Sequence, residues 1–477
     1  MRVFAVLAAV AVTAAACSSF HGLTPEAAPA SPSLQRPALA QPGIYYKHIV
    51  VEIQENRSFD NIFAGAANRG MLKYAVDVAK SGYSNLNCTK PLNPTTCSRV
   101  PLRALGYSSN VDPNHVWQAL HAECNELPSA KPIEGTSPCR MNGFWGDAGT
   151  TVPKGWNYPA GALPYTFLPP SAIVPYVKLA NRYGLADELF SGGRAPSFPG
   201  HVFLVSGLGP SNDPPTAKIW GCAQRNYLVQ LWAAWAPAIG KKSQCFNYTS
   251  LATALDRKGV SWAYYNGNRP ADYYSFDNLS VGVSAFSDVW ANDRHKLLSR
   301  KQFFADLQSG GKKSCNLPSV SWLTPNGGES DHPSWETTDM GPFWVASVYS
   351  QIGASPCYRD TAMLVVWDDS GGWFDPEPPP YVDNDGFGFR LPLLIISPYA
   401  KQGHVSHVVY EHGSILKFTE DVFGLGRLAA SDARAKTPAI DCFDFNQKPR
   451  LFTPIKAEYD RNYFMSEPLD TRPPDND

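Results

Sequence analysis

Asp368 and Asp369 stand side by side at the end of an apolar run, Thr361-Ala-Met-Leu-Val-Val-Trp367, and Gly371 and Gly372 follow. Adjacent carboxylates repel one another and are costly to dehydrate unless a cation or hydrogen-bond donors compensate them. Glu55 and Asn56 end a second apolar run, Lys47-His-Ile-Val-Val-Glu-Ile-Gln54, in the same way. Taken singly, each pair also suits a solvated turn. The repetition of one design, oxygen-bearing side chains where a strand stops, is what points to chemistry. Ser197 lies between Pro196 and Pro199-Gly200, ahead of an apolar segment that can be helical. At a helix N-terminus the backbone N–H groups and the dipole favour an oxyanion or a phosphate. The alternative there is a capping serine without chemistry. No G-x-S-x-G elbow surrounds it, so the common serine-hydrolase arrangement is not indicated.

The elements that must position these groups are legible. Unbroken apolar runs read as strands buried on both faces, as in a parallel sheet. The runs at 47–54, 184–190, 260–265, 318–324, 361–367 and 390–397 alternate with helical segments, which gives an α/β fold. Open α/β sheets hold their ligands at the carboxyl ends of the strands, where the acidic pairs fall. Ser58 or Asp60 can cap a short helix after the first strand, and Ser414 can cap one that Gly424 stops. Residues 67–150 have few periodic apolar runs and carry Cys88, Cys97, Cys124 and Cys139, so they read as a loop-rich insertion stapled by disulfides. Within it, Asp112-Pro-Asn-His115 opens a helix on which His121, six residues on, lies off the face of His115. His404, His407 and His412 fit no standard metal spacing and read as structural. Residues 448–477 read as a polar, proline-rich surface tail.

The 477 residues can build a large core, and their net charge of -1 gives no electrostatic case for a nucleic-acid partner. Residues 1–16 pair Arg2 with an apolar run too short to span a bilayer, the pattern of a signal peptide. Ala14-Ala15-Ala16 before Cys17 matches a bacterial lipoprotein signal, with Cys17 lipidated and holding the protein to a membrane; cleavage after Ala16 is the alternative. Either route exports the chain, to the periplasm, the membrane surface or the medium. Residues 17–43 then form a tether rich in Pro, Ala and Ser. Export permits disulfides, and the local pairs Cys88–Cys97, Cys124–Cys139, Cys222–Cys245 and Cys315–Cys357 are open to it. With Cys17 set aside the count is odd, so one thiol stays free or pairs between chains.

Taken in order, Glu55-Asn-Arg-Ser-Phe-Asp60, Ala195-Pro-Ser-Phe-Pro-Gly-His201, Asp331-His-Pro333, Trp367-Asp-Asp-Ser-Gly-Gly-Trp373 and Gly386–Ala400 resemble the bacterial phosphoesterase family of phosphatidylcholine-type phospholipases C and acid phosphatases. That resemblance runs from about Lys47 to Phe445. It implies an alkaline-phosphatase-like three-layer sandwich with a central, mostly parallel sheet. It further implies a metal held by Glu55, Asn56, Asp368 and Asp369, with Ser197 completing the site as the nucleophile. His115 and His332 are then expected to contact the phosphoryl group or protonate the leaving oxygen. Such oxygen-rich ligands suit a hard divalent cation such as Ca²⁺, Mg²⁺ or Mn²⁺. Two positions depart from the family pattern. Asp375 is followed by Pro376 where many members have Asp-His, and Asn142 stands where Met-Asp-Gly-Phe is common.

The expected substrate is a phosphate ester, and a phospholipid in particular. Loss of a histidine at 376, with Trp373, Phe374 and Pro378-Pro-Pro-Tyr381 as apolar bulk beside the metal, favours a bulky diester and phospholipase C-type cleavage. A monoester-specific acid phosphatase is the alternative, supported by His115, His201 and His332. A sulfatase would share Ser197-Phe-Pro199 but needs arginine where His201 stands. A glycan-binding surface lipoprotein would use the 13 tryptophans but has no use for the acidic set.

Overall fold

A computed structural model describes residues 46–467 apart from 89–95, 108–110, 127–132, 148–152, 215–219, 233–237, 267–280, 310–313, 334–339 and 384–385. The signal segment, the tether and Cys17 lie outside the described residues. A central sheet of nine strands organises the chain. From one edge its order is Leu297–Leu298, Trp262–Asn266, Val320–Thr324, His48–Gln54, Thr361–Trp367, Arg390–Ile396, Gly184–Phe190 and His404–Ser406, with Tyr410–Glu411 also pairing 184–190. All neighbours run parallel except the two pairs made by Arg390–Ile396. The sheet is thus mostly parallel, with one reversed strand that its apolar sequence does not distinguish from the others.

Every residue of His48–Gln54, Thr361–Trp367 and Arg390–Ile396 is buried. Alternate side chains of a strand point to opposite faces, so both faces of the sheet are covered. One group of helices packs around Met340–Ala354, which meets Val174–Arg182, Arg300–Ser309 and Arg461–Ser466. A second joins Ser197–Ser206 to Leu251–Lys258 and His412–Phe423. The segment read as a surface tail is drawn into the first group through Phe464, which is fully buried edge-on against Trp344.

The helix-stop and capping chemistry is local. Ser58 accepts from the Asn61 N–H and starts Phe59–Ala67. Glu411, not Ser414, is the N-cap of His412–Phe423; Ser414 sits at the third helical position and its hydroxyl accepts the Glu411 N–H, the reciprocal half of a capping box. Gly424 ends that helix with φ +65°.

Val100, Leu120, Met141 and Phe144 of the insertion form a small separate core with Tyr165, Phe374 and Phe389 from outside it. All four local cysteine pairs are disulfides, and Cys442 is a buried free thiol. Among the described residues no helix is long and apolar enough to cross a membrane.

Candidate active site

The sheet register brings the two acidic pairs together. His48 is aligned with Thr361 and Gln54 with Trp367, so the residues after each strand, Glu55-Asn56 and Asp368-Asp369, leave the same edge side by side. The joint is stitched by backbone bonds from Asp368 N to Gln54 O and from Arg57 N to Asp369 O, each 3.1 Å. Asn56 itself takes a left-handed conformation, φ +53°, and its N–H donates to Asp368 Oδ1 at 3.0 Å. This turn aims its side chain away from the strand. Gly371 approaches so closely that a Cβ there would stand 2.7 Å from the Asn56 carbonyl carbon, which is why the turn after the aspartates needs glycine.

Ser197 comes from the loop after Gly184–Phe190, a strand parallel to Thr361–Trp367 with only the reversed strand between them. It is the first residue of Ser197–Ser206, and the N-cap is Pro196, so the serine is not a cap. Its Oγ lies 3.0 Å from Asn56 Oδ1 and 3.0 Å from Asp369 Oδ2, and it is fully buried. The next backbone N–H, of Phe198, donates to Asp213 Oδ1 and is not aimed at a ligand. This N–H of the helix start is therefore already taken.

Asn56 also gathers the two histidines. Its Nδ2 lies 2.9 Å from His115 Nε2 and 3.2 Å from His332 Nε2. His115 Nδ1 lies 2.8 Å from the Pro113 carbonyl, and His332 Nδ1 is bonded to the Pro333 carbonyl. A carbonyl only accepts, so each Nδ1 carries a proton. His332 follows Asp331, which the sequence shows only as part of the Asp331-His-Pro333 segment. That buried carboxylate accepts from Tyr107 Oη at 2.6 Å, Tyr176 Oη at 2.7 Å and Trp367 Nε1 at 3.0 Å. Burial pushes its pKa up to about 6 against the pull of those donors and of Arg57.

A second cluster adjoins the first. Glu55, Asp368 and His201 are all buried, with one atom of each within 4.8 Å of the others. Burial, Glu55 and Asp369 raise the Asp368 pKa well above the usual carboxylate range. Burial also pushes Glu55 up, but His201 beside it outweighs that and its pKa is lowered. Asp368 Oδ2 makes no hydrogen bond among the described residues. Buried carboxylates crowded together, one oxygen left over, fit a divalent cation, whose charge would relieve the repulsion.

The two departures from the family pattern fall away from these groups. Asp375 is buried and bonded to Arg390 Nε at 2.9 Å and to the Asp60 N–H at 3.1 Å, and Arg390 also reaches Asp60. Asn142 Oδ1 accepts from Asn125 Nδ2 at 2.7 Å inside the insertion. Phe374, expected as bulk beside the metal, turns instead into the insertion core, stacked on Tyr165 at 4.8 Å. Trp373 lies against Arg57, 4.9 Å from guanidinium to ring, and packs with Val111 and Leu163. His404 and His407 bond Asp441 and Asp187, and His412 Nε2 bonds the Trp367 carbonyl, so none of the three joins the cluster.

Comparison with known proteins decides the family. The model of the phosphoesterase family matches residues 46–426. The chain belongs to the phosphoesterase family. It is a phosphoric ester hydrolase, similar to phospholipase C B of Mycobacterium tuberculosis, 27% identical over 80% of this chain and 73% of the relative. A non-hemolytic phospholipase C of Burkholderia pseudomallei is 23% identical over 79% of this chain and 55% of its own length. Non-specific phospholipase C1 of Arabidopsis thaliana is 25% identical over 86% and 73%. Among solved structures, a putative sulfatase from Bacteroides thetaiotaomicron aligns at TM-score 0.35 and 11% identity over 60% of this chain and 74% of that one.

Proposed function

We propose that this phosphoesterase is an exported, metal-dependent enzyme of the phospholipase C type that works through a phosphoserine on Ser197. The observation that carries the reading is the single side chain of Asn56, which contacts the Ser197 hydroxyl and both histidines. A nucleophile and two proton carriers meeting on one rigid amide is what an in-line phosphoryl transfer requires.

Ser197 Oγ attacks phosphorus and its proton passes to Asp369 Oδ2, 3.0 Å away. The P–O bond to the leaving alcohol breaks, and His115 or His332, once doubly protonated, supplies the alcohol's proton from Nε2, the nitrogen that the neutral ring turns as an acceptor to the Asn56 amide. Water then cleaves the phosphoserine: the same histidine takes the water's proton, and the proton held by Asp369 returns to Ser197 Oγ as its bond to phosphorus breaks. Glu55, Asn56, Asp368 and Asp369 are the residues that would hold the cation. When bound, it lowers the serine pKa and offsets charge on the phosphoryl oxygens. The four disulfides suit an oxidising compartment, which supports export.

The substrate class is tested by kcat/KM on p-nitrophenyl phosphorylcholine, bis-p-nitrophenyl phosphate and p-nitrophenyl phosphate, with and without chelator. Preference for the phosphorylcholine diester, lost on chelation, is expected. Preference for the simple monoester would make the protein an acid phosphatase instead.

A further inference from the structure

We infer that His201 is the positioning residue of the metal centre, a donor that spans Glu55 and Asp368 and holds both carboxylates in place, and not itself a metal ligand. The inference rests on the metal reading above and goes beyond it, because it assigns a role to a residue outside the expected ligand set.

His201 is on the helix that carries Ser197, one turn later, so both side chains leave the same helix face toward the sheet edge. The ring is fully buried. Its Nε2 lies 3.1 Å from Glu55 Oε1 and 3.6 Å from Asp368 Oδ2. The Trp220 ring stands 5.7 Å away, centroid to centroid, and Nδ1 has no hydrogen-bond partner among the described residues. Gly282 packs against the backbone at this point, since a Cβ there would stand 2.8 Å from the His201 carbonyl carbon.

The lone Nδ1 decides between two roles. A histidine that ligates a metal through Nε2 carries its proton on Nδ1, and such ligands nearly always pass that proton to a carboxylate, a carbonyl or water. Here that proton would find no acceptor among the described residues, leaving a buried donor unpaired. With the proton on Nε2 the donor faces two carboxylates and the atom left without a partner is a bare lone pair, not a donor, the cheaper arrangement. The imidazole then does for Glu55 and Asp368 what an outer-shell group does for metal ligands generally. It fixes their rotamers before the ion arrives.

The test uses the full mature protein loaded with Mn²⁺. Pulsed EPR on the parent should show no directly bound ¹⁴N. His201→Leu should weaken Mn²⁺ binding about 10–100-fold, the usual effect of removing such a partner. His201→Gln, whose amide N–H can still reach the carboxylates, should restore affinity to within a few-fold. A strong directly bound ¹⁴N coupling in the parent would overturn the inference, and so would His201→Leu binding Mn²⁺ as tightly as the parent. A parent that binds no Mn²⁺, Mg²⁺ or Ca²⁺ would overturn the metal reading itself. The EPR result needs no variant, so it stands even if His201→Leu folds poorly.

Discussion

Gly200 lies flat against Asp368: a Cβ on Gly200 would stand 2.8 Å from the Asp368 carbonyl carbon and closer still to its oxygen. The first turn of the serine's helix therefore rests on the backbone of the metal-edge aspartate, which sets how far Ser197 is from Asp369. Gly→Ala inside a helix ordinarily stabilises by about 1 kcal/mol. Here Gly200→Ala should do the opposite, because backbone cannot move aside cheaply. Lifting the helix by even part of an ångström should lower kcat/KM on the order of 10²-fold. Steady-state kinetics and a thermal melt check both outcomes.

Asp331 should prove essential though it touches neither metal nor serine. It holds Tyr107, Tyr176 and Trp367 and precedes His332. Asn at 331 offers one acceptor oxygen where the carboxylate has two, so Asp331→Asn should leave a buried hydroxyl unpaired and displace His332. Its pKa, raised to about 6 by burial, also fixes a pH signature. The unfolded chain releases this proton near pH 4 and the folded chain near 6, so the folded state binds more protons between those values. The contribution of Asp331 to stability falls as pH rises through that window, by about 3 kcal/mol for a two-unit shift, and is constant above it. Denaturant melts from pH 4 to 7 should show that slope in the parent and a shallower one in Asp331→Asn.

How much of this was legible beforehand divides cleanly by range. The acidic pairs end apolar runs, so a local pattern was enough to single them out, whereas the pairing of 48–54 with 361–367 that sets them side by side spans 313 positions and no local pattern shows it. The disulfides join cysteines close in sequence, which also made them legible. Asp331 stands out in the sequence only as part of a motif, and His201 only as a histidine that could serve a monoester, because their importance lies in contacts with residues 224 and 146 positions away. Phe374 misled for the same reason. Its place in sequence, one residue past Trp373, says nothing of the insertion core that captures it. The reversal of strand 390–396 was hidden because a central strand is equally apolar in either direction.

Asp368→Asn and Glu55→Gln should each lose bound metal and most activity while the protein stays folded. Asp368 holds its proton more tightly than a normal carboxyl because of burial and its acidic neighbours, so cation binding must displace that proton. Calorimetric titration of the parent in two buffers of different ionisation enthalpy should reveal proton release. Equal apparent enthalpies in both buffers would contradict it.

Disulfide removal should follow loop length. Cys315–Cys357 closes a separation of 42 residues and Cys88–Cys97 one of 9. Chain entropy assigns about 4 kcal/mol to the first and about 2.7 to the second. The paired Cys→Ser variants, compared by denaturant midpoint, should rank in that order.

The central claim is that Ser197 carries the phosphoryl group. Parent enzyme turning over p-nitrophenyl phosphorylcholine is quenched in acid, digested and mapped by mass spectrometry. The account predicts phosphate on the Ser197 peptide, absent in Ser197→Ala, whose kcat should fall by roughly 10³-fold or more. Phosphate on another residue, or Ser197→Ala turning over at the parent rate, would contradict it.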